Sequence, residues 1–322
     1  LITGAPGIGK SDITYQACVK AGADMILSHP AVSDPTDAKG LPWPCHDGER
    51  AVFLPFGDLE AAIHATKPTV WFLDDLGQAT PAVQASYMQL TLARRVNGHQ
   101  LPQCVTFVAA TTRRTDRAGV AGILEPVKSR FTIYELATNL DDWCEWAVTA
   151  DIHPHILAFL RFRPDLLHAF TPTADMENSP NPRTWARLSA WLTTGIHPDD
   201  ELAACAGNVG QGAAGEFVAF LHVAREVPDP DDVIENPAKA PVPTQPSSLY
   251  ALTAALAYRV TVKNFPKIYQ YAERLVESKR AEFGVLLLRD SYRREPAIRA
   301  TPTFAKIQAS ELSTLILGKE GE

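Results

Sequence analysis

The alternation of apolar and polar positions divides the chain into two parts. Up to about position 136, short apolar runs alternate with helical segments and turns, which is typical of strands in a parallel sheet. Beyond that point, apolar positions recur at helical spacing only. We therefore predict an α/β core of three αβα layers with a parallel sheet over residues 1–137, followed by a helical lid with further helices over 138–322.

The same pattern gives the approximate bounds of the elements. The predicted strands are 1–3, 25–27, 51–55, 69–73, 103–110 and 131–136, the second of them short and buried, with a small hairpin over 94–101. The predicted helices are 10–21, 58–65 with Asp58 as its cap, 81–93, 141–149, 154–162, 184–193, 249–260, 267–277, 282–290 and 304–317.

Two stretches rich in proline are predicted to be irregular. Residues 28–50 form a long loop, and a loop of that length in a compact domain is usually functional or disordered. Trp43 at its tip either anchors the loop on its own domain or contacts a partner. Residues 228–246 are predicted to be an extended connector.

Residues 4–11 read GAPGIGKS and fit the pattern G-x-x-x-x-G-K-[ST] at every fixed position. The glycines allow several backbone N–H groups to face one anion, and the following helix adds the positive end of its dipole. Lys10 is expected to reach the β- and γ-phosphates of a nucleotide, and the Ser11 hydroxyl to ligate Mg²⁺. An ordinary glycine-rich turn before a helix is the alternative.

A second informative stretch is the apolar strand that ends in Asp74 and Asp75. Carboxylates at the end of a parallel strand lie at the sheet edge where the first loop also emerges. We expect Asp74 to bind Mg²⁺ and Asp75 to polarise the attacking water. Two acids at a strand end can also form a solvated turn.

Polar residues also follow the strand predicted over 103–110. Thr112 is the candidate for sensing the γ-phosphate. It lies at the tip of a strand that we expect to neighbour both the glycine-rich loop of residues 4–11 and the acid pair Asp74 and Asp75. Arg117, Lys128 and Arg130 precede the last predicted strand. An arginine at this rim is a candidate arginine finger for a neighbouring subunit, and a solvated surface charge is its ordinary alternative.

Composition narrows the functional classes. A net charge of −7 over 322 residues argues against sequence-independent binding of nucleic acid, because such binding needs lysine and arginine to neutralise the phosphates. The five scattered cysteines, without a C-x-x-C pair, are expected to be reduced thiols of a cytoplasmic protein. No apolar run approaches the length that spans a membrane. Because the chain begins without Met and within a strand, we expect further residues before Leu1.

The motifs taken in order resemble those of the AAA+ ATPases, and within them the MoxR branch, including phage and bacterial ATPases encoded beside a von Willebrand A-domain protein. The likeness extends from Leu1 to about position 227. It rests on the phosphate-binding loop (P-loop) of residues 4–11, the strand ends LDD at 73–75 and AATTR at 109–113, SRF at 129–131 and PRTW at 182–185. It implies a Walker A nucleotide site formed by Gly4, Ala5, Pro6, Gly7, Ile8, Gly9, Lys10, Ser11 and Asp12. Asp74 and Asp75 match Walker B.

The resemblance also implies roles for more distant residues. Thr112 matches sensor 1, Arg130 the arginine finger that acts on a neighbouring subunit, and Arg183 sensor 2 on the lid. It further implies Mg²⁺ and ATP or ADP as cofactors, a homo-oligomeric ring expected to be a hexamer, and a protein client, with a von Willebrand A-domain protein as the candidate. Residues 35–42 are similar to the MoxR insertion. Alternatively, Arg183 faces water at the start of its helix.

Two positions depart from the family pattern. The family usually has Glu where this chain has Asp75, and Asn where it has Thr112. Aspartate is one methylene shorter, so its carboxylate stands about 1.5 Å farther from the water. We expect slow hydrolysis, and an ATP-dependent assembly scaffold that barely hydrolyses ATP is the alternative function.

Three further features are given ordinary interpretations. Residues 207–212 have the spacing of a dinucleotide fingerprint but lie between helices, so we expect a turn. His153 and His155 are predicted to be exposed at a helix start and not to form a metal site. Arginines in the last third of the chain are expected to form a solvated face, with an acidic partner or subunit contact as the alternative; they are Arg289, Arg293, Arg294 and Arg299.

Overall fold

The computed structural model describes residues 1–46, 48–116, 122–173 and 175–308. The chain forms two compact units, Leu1–Ala137 and Thr138–Glu322. Arg117 and the part of the predicted last helix beyond position 308 lie outside the described residues.

The first unit is built on a parallel sheet. Its strands and those of two hairpins are β1 (Ile2–Thr3), β2 (Asp24–Ser28), β3 (Leu41–Pro44), β4 (Ala51–Leu54), β5 (Thr69–Leu73), β6 (Arg95–Val96), β7 (His99–Gln100), β8 (Val105–Thr111) and β9 (Tyr134–Glu135). The five-stranded sheet has the order β2-β5-β8-β1-β9, and every pairing described within it is parallel. β3 pairs with β4 and β6 with β7, both antiparallel.

Helices of the first unit connect these strands. They are α1 (Lys10–Ala21), α2 (Pro35–Lys39), α3 (Gly57–Ile63), α4 (Pro81–Ser86), α5 (Met88–Ala93) and α6 (Glu125–Lys128). α1 has the predicted bounds because Gly22, with φ of 64°, ends it in a left-handed conformation. The core of this unit contains Trp71, which stacks on Phe107 at 5.2 Å between ring centroids.

The described residues of the second unit form helices and connecting loops, with no strand among them. Its helices are α7 (Leu140–Thr149), α8 (Pro154–Phe162), α9 (Pro182–Thr194), α10 (Glu201–Val209), α11 (Gln211–Arg225), α12 (Pro230–Glu235), α13 (Pro246–Tyr258), α14 (Phe265–Glu277), α15 (Ala281–Arg294) and α16 (Pro302–Gln308). Phe159 packs against Trp185 and Phe217 in one part of its core. The predicted fold class, a parallel α/β core followed by an all-helical part, is confirmed.

Several local predictions for the first unit are wrong. The stretch 28–50 is not irregular, because Asp34 forms a capping box that starts α2 and the following residues pair as the β3–β4 hairpin. Trp43 is 60% exposed on that hairpin, so it does not anchor the segment on its own unit. The cap of α3 is Phe56, and Asp58 lies inside the helix.

The predicted helix over 81–93 is interrupted at Tyr87, where α4 ends and α5 begins. The strand predicted to be short and buried is β2, and it is more exposed than expected because it is an edge of the described sheet; β9, which lies in the strand predicted to be apolar, is the other edge and is exposed. Leu27 of β2, for example, is 43% exposed.

In the second unit, the predicted connector over 228–246 contains α12, which starts where Asp229 caps it. Residues 207–209 end α10 and 211–212 begin α11, so the predicted turn is confined to Gly210, with φ of 80°. The predicted arginine face is wrong in part: Arg299 is exposed, whereas Arg293 and Arg294 are half-buried and pair with Glu145 and Asp151.

Candidate functional site

The loop between β1 and α1 depends on glycine at three positions. Gly7 and Gly9 have φ of 74° and 92°, the left-handed region that other residues rarely adopt. Gly4 is required for a different reason: a Cβ there would lie 2.6 Å from the Leu136 carbonyl oxygen and from Ile8 Cδ1. The backbone therefore curls tightly before the first turn of α1, as phosphate-binding loops do.

Lys10 begins α1 and is buried, with 7% of its surface exposed. Its Nζ donates hydrogen bonds to the carbonyl oxygens of Gly4 and Ala5, at 3.1 and 2.9 Å. These bonds hold the ammonium group against the loop. A buried lysine in this position supplies a positive charge beside the N-terminus of a helix, which favours a bound anion.

The two acids meet the loop through Ser11. The Ser11 hydroxyl donates to Asp74 Oδ2 at 2.6 Å, and the other oxygen of that carboxylate accepts from the Asp75 N–H at 3.1 Å. Asp75 has φ of 53° and ψ of 36°, a left-handed conformation that Asp tolerates better than most residues. A hydroxyl and a carboxylate are hard oxygen ligands, so this pair fits Mg²⁺.

β8 lies between the two strands that carry these motifs. It pairs with β1 through Thr3 and Thr111, and with β5 through Leu73 and Ala109. Thr112 follows directly and is 5% exposed. Among the described residues, its hydroxyl has no hydrogen-bond partner. An unsatisfied buried hydroxyl at the edge where the loop between β1 and α1 emerges is available to a ligand.

The turn after β8 is fixed by Arg113. Its guanidinium donates to both carboxylate oxygens of Asp116, at 3.0 and 3.1 Å, and to Glu135 of β9 at 2.9 Å. These bonds raise the pKa of Arg113 above its usual value. Sequence reasoning did not single out this residue, although it directly follows the predicted sensor.

The other predicted residues are placed as follows. Arg130 is half-buried and donates to the backbone carbonyl oxygens of Met88, at 3.3 Å, and Pro126. Asp12 is exposed in the first turn of α1, and Lys128 pairs with Glu125. Arg183 lies in the first turn of α9 in the second unit.

His153 and His155 are half-buried at the start of α8, so the prediction that they are exposed is wrong. Their ring centroids are 4.9 Å apart. Burial lowers the pKa of both, and the positive charges of Arg225 and Arg259 help to bring that of His155 to about 4. Among the described residues, no group of three or more His, Cys, Asp or Glu side chains could hold a metal ion. The five cysteines are free thiols.

No protein-family model and no curated protein matches this chain. Solved structures give matches at low similarity. The RuvB Holliday junction branch migration motor of Thermotoga maritima has 17% identity and a TM-score of 0.38, over 86% of this chain and 78% of RuvB. A point mutant of the same RuvB has 16% identity and a TM-score of 0.39, over 86% of this chain and 80% of the mutant.

A third similar structure is NtrX from Brucella abortus in complex with ADP. It has 15% identity and a TM-score of 0.40, over 88% of this chain and 64% of NtrX. Because all three TM-scores lie below 0.5, the function is inferred from the residues of this chain. Within its described residues, no helix is both long and apolar enough to cross a membrane.

Proposed function

We propose that this chain is a AAA+ ATPase that binds and hydrolyses Mg²⁺-ATP. The observation that carries the proposal is the contact between Ser11 and Asp74, which joins the phosphate loop to the acid pair at one edge of a parallel sheet. A solvated turn would not need to bring these two oxygen groups together. The strand order supports the same conclusion, since β8 places Thr112 between both motifs.

Each residue is assigned a role in that reaction. Gly4, Ala5, Pro6, Gly7, Ile8, Gly9 and Asp12 belong to the segment that encloses the phosphates. Lys10 neutralises the β- and γ-phosphates, Ser11 and Asp74 hold Mg²⁺, and Thr112 contacts the γ-phosphate with its unpaired hydroxyl. When bound, Mg²⁺ supplies charge stabilisation to the transferring phosphoryl group.

Asp75 acts as the group that orients the attacking water. Its shorter side chain, compared with the glutamate typical of the resembled family, makes hydrolysis slow. The left-handed backbone at Asp75 is consistent with aspartate at this position, since Asp and Asn are enriched in that conformation.

Arg130 and Arg183 are assigned roles in an oligomer of this chain. We infer a homo-oligomeric ring, a hexamer by analogy with the resembled family, in which Arg130 acts on the nucleotide of a neighbouring subunit and Arg183 responds to it from the lid. Arg130 must first release the Met88 and Pro126 carbonyl oxygens. The client is a protein, with a von Willebrand A-domain protein as the candidate, and the location is cytoplasmic, for a chain encoded by a bacterium or a phage. The negative net charge disfavours nucleic acid as a partner.

An ATP-dependent assembly scaffold is the second candidate, favoured by the aspartate at position 75. Steady-state ATP hydrolysis, measured together with particle size in ADP and in ATP, distinguishes the two functions. Multiple turnovers with a ring present support the remodelling ATPase. Assembly in ATP without multiple turnover supports the scaffold, and a salt-sensitive affinity for DNA would contradict both.

A further inference from the structure

A buried hydroxyl lies next to the proposed metal site, at the end of the edge strand β2. Ser28 is 3% exposed, and its Oγ accepts a hydrogen bond from Trp71 Nε1 at 2.7 Å and donates one to Asp58 Oδ2 at 2.5 Å. The buried Tyr87 packs edge-on against Trp71, with 6.1 Å between their ring centroids, and burial raises the pKa of this tyrosine to about 12.

A serine hydroxyl has one proton to donate and two lone pairs to accept with. The Asp58 carboxylate therefore accepts the hydrogen bond that Ser28 donates, and the Trp71 N–H uses one of the lone pairs of Ser28. The indole N–H of Trp71 is in the core, where an unpaired polar group is unfavourable. The hydrogen bonds of its hydroxyl therefore fix Ser28 more tightly than backbone pairing alone fixes the last residue of a strand.

The backbone of the same residue contacts the proposed metal ligand. The Ser28 carbonyl oxygen accepts a hydrogen bond from the Asp74 N–H at 2.9 Å, one residue beyond the paired part of β5. β2 is an edge strand of the described sheet, so β5 is its neighbour on one side only. The hydrogen bonds of the Ser28 hydroxyl therefore keep the end of β2 from separating from β5, at the residue whose carbonyl oxygen accepts the Asp74 N–H.

Asp58 lies outside the core and supplies the carboxylate that accepts the hydrogen bond from Ser28. It is an exposed residue of α3, and its carboxylate reaches the buried Ser28 hydroxyl. Hydrogen bonds to an ionised acceptor are stronger than neutral ones. Asp58 can thus fix Ser28 from the surface, and changing it leaves the apolar core intact.

We propose that Ser28 and Asp58 are positioning residues that set the placement of the Asp74 carboxylate, and through it the Mg²⁺ requirement of the site. This inference rests on the proposed ATPase function. Neither residue is assigned a contact with nucleotide or metal. They act by holding the backbone on which the metal ligand is carried, as outer-shell partners do at other metal sites.

The test uses Asp58→Ala, because this exposed position tolerates truncation better than the buried Ser28. Asp58→Asn keeps an oxygen acceptor for the Ser28 hydroxyl, and Glu60→Ala, also exposed on α3, is the matched control. The first measurement is hydrogen exchange at the Asp74 amide in nucleotide-free protein. The second is the Mg²⁺ concentration that gives half-maximal ATP hydrolysis, together with ATP affinity in EDTA.

In Asp58→Ala we expect exchange at Asp74 to be about threefold to tenfold faster, the effect of losing one hydrogen bond of ordinary net strength, because Asp58 acts on the Asp74 amide only through Ser28. The half-maximal Mg²⁺ concentration should rise by about tenfold, the lower end of outer-shell effects on metal affinity. ATP affinity in EDTA should not change. Asp58→Asn should lie close to the wild type, as should Glu60→Ala.

Unchanged exchange at Asp74 in Asp58→Ala would overturn the inference. Faster exchange with an unchanged Mg²⁺ requirement would also overturn it, because the contact would then be structural only. Failure of the proposed function gives a different result: the wild-type protein would show no Mg²⁺-dependent use of ATP, whatever the exchange experiment shows.

Discussion

The Ser11 hydroxyl lies 2.6 Å from the Asp74 carboxylate, although 63 positions separate the two residues in the chain. Their strands are not adjacent, because β8 lies between β1 and β5. The contact therefore depends on the crossover connections that bring the carboxyl ends of parallel strands to one edge. It joins the two motifs that the proposed nucleotide site requires.

Replacing Asp74 with asparagine is expected to weaken Mg²⁺-dependent ATP binding by at least about tenfold, because a charged metal ligand is lost. ATP binding in EDTA should stay close to that of the wild type. Titration calorimetry with and without Mg²⁺ measures both values. Asp24→Asn is the matched control, since Asp24 is an acidic residue of β2 that pairs with Lys67. Equal losses with and without metal would contradict a role for Asp74 as a metal ligand.

Asp75→Glu is expected to increase the rate of ATP hydrolysis, because the longer side chain brings the carboxylate closer to the water. It should also lower the free energy of unfolding by about 1 kcal/mol, since glutamate is less tolerant than aspartate of the left-handed conformation found here. Single-turnover kinetics and urea denaturation measure the two effects. Asp75→Asn, which tolerates the same backbone, should keep its stability and lose hydrolysis. An unchanged rate in Asp75→Glu would remove the reason to regard the site as impaired.

Gly4→Ala is expected to destabilise the first unit by about 1–3 kcal/mol and to abolish nucleotide binding. The added methyl group would lie 2.6 Å from the Leu136 carbonyl oxygen, and backbone cannot move aside as a flexible side chain does. Gly215→Ala is the control, because its Cβ would meet no atom within 4 Å and the position lies inside α11. That substitution should stabilise the protein by up to about 1 kcal/mol. Thermal unfolding of both variants tests the difference.

The sequence predicted the contact between the glycine-rich loop and the acid pair better than it predicted the elements around them. The P-loop and the LDD strand end were recognisable because the chemistry requires particular residues at fixed spacing. The α1 bounds also followed from local signals, namely the loop before it and Gly22 after it. The placement of Ser28 had no such signal, because a serine at a strand end is common and its partners are distant in the chain.

The wrong predictions for the β3–β4 hairpin, His155 and Tyr87 have physical causes that lie outside the local sequence. The hairpin of β3 and β4 contains two prolines in one strand, which suggested a loop, and Pro42 and Pro44 are tolerated because the pair stands outside the main sheet. The burial of His155 depends on helices that follow it by many residues, so the local pattern at a helix start suggested exposure. The break at Tyr87 accompanies a tyrosine that is 1% exposed and held in the core.

The lowered pKa of His155 predicts how stability depends on pH. Burial holds the imidazole neutral down to a pKa of about 4, whereas the unfolded chain takes up the proton near pH 6.5. The unfolded state therefore binds more protons between these values, and the free energy of unfolding falls as the pH falls from 6.5 towards 4.

His155→Gln should flatten that part of the profile, removing up to about 3 kcal/mol of pH-dependent stability. Urea denaturation at a series of pH values measures the slope for both proteins. His197→Gln, at an exposed histidine of the same unit, is the control and should retain the wild-type slope. A mutant and a wild type with the same slope between pH 4 and 6.5 would show that His155 is not the responsible group.

The most direct measurement of the central claim is equilibrium binding of ATP with Mg²⁺ to the wild type and to Lys10→Ala, with Lys20→Ala of the same helix as the control. We predict saturable binding that requires Mg²⁺ in the wild type and in Lys20→Ala. Lys10→Ala should bind about tenfold to a hundredfold more weakly, because a charged hydrogen bond to phosphate is lost. A wild type without Mg²⁺-dependent binding, or a Lys10→Ala variant that binds ATP as tightly as the wild type, would contradict the proposed nucleotide site.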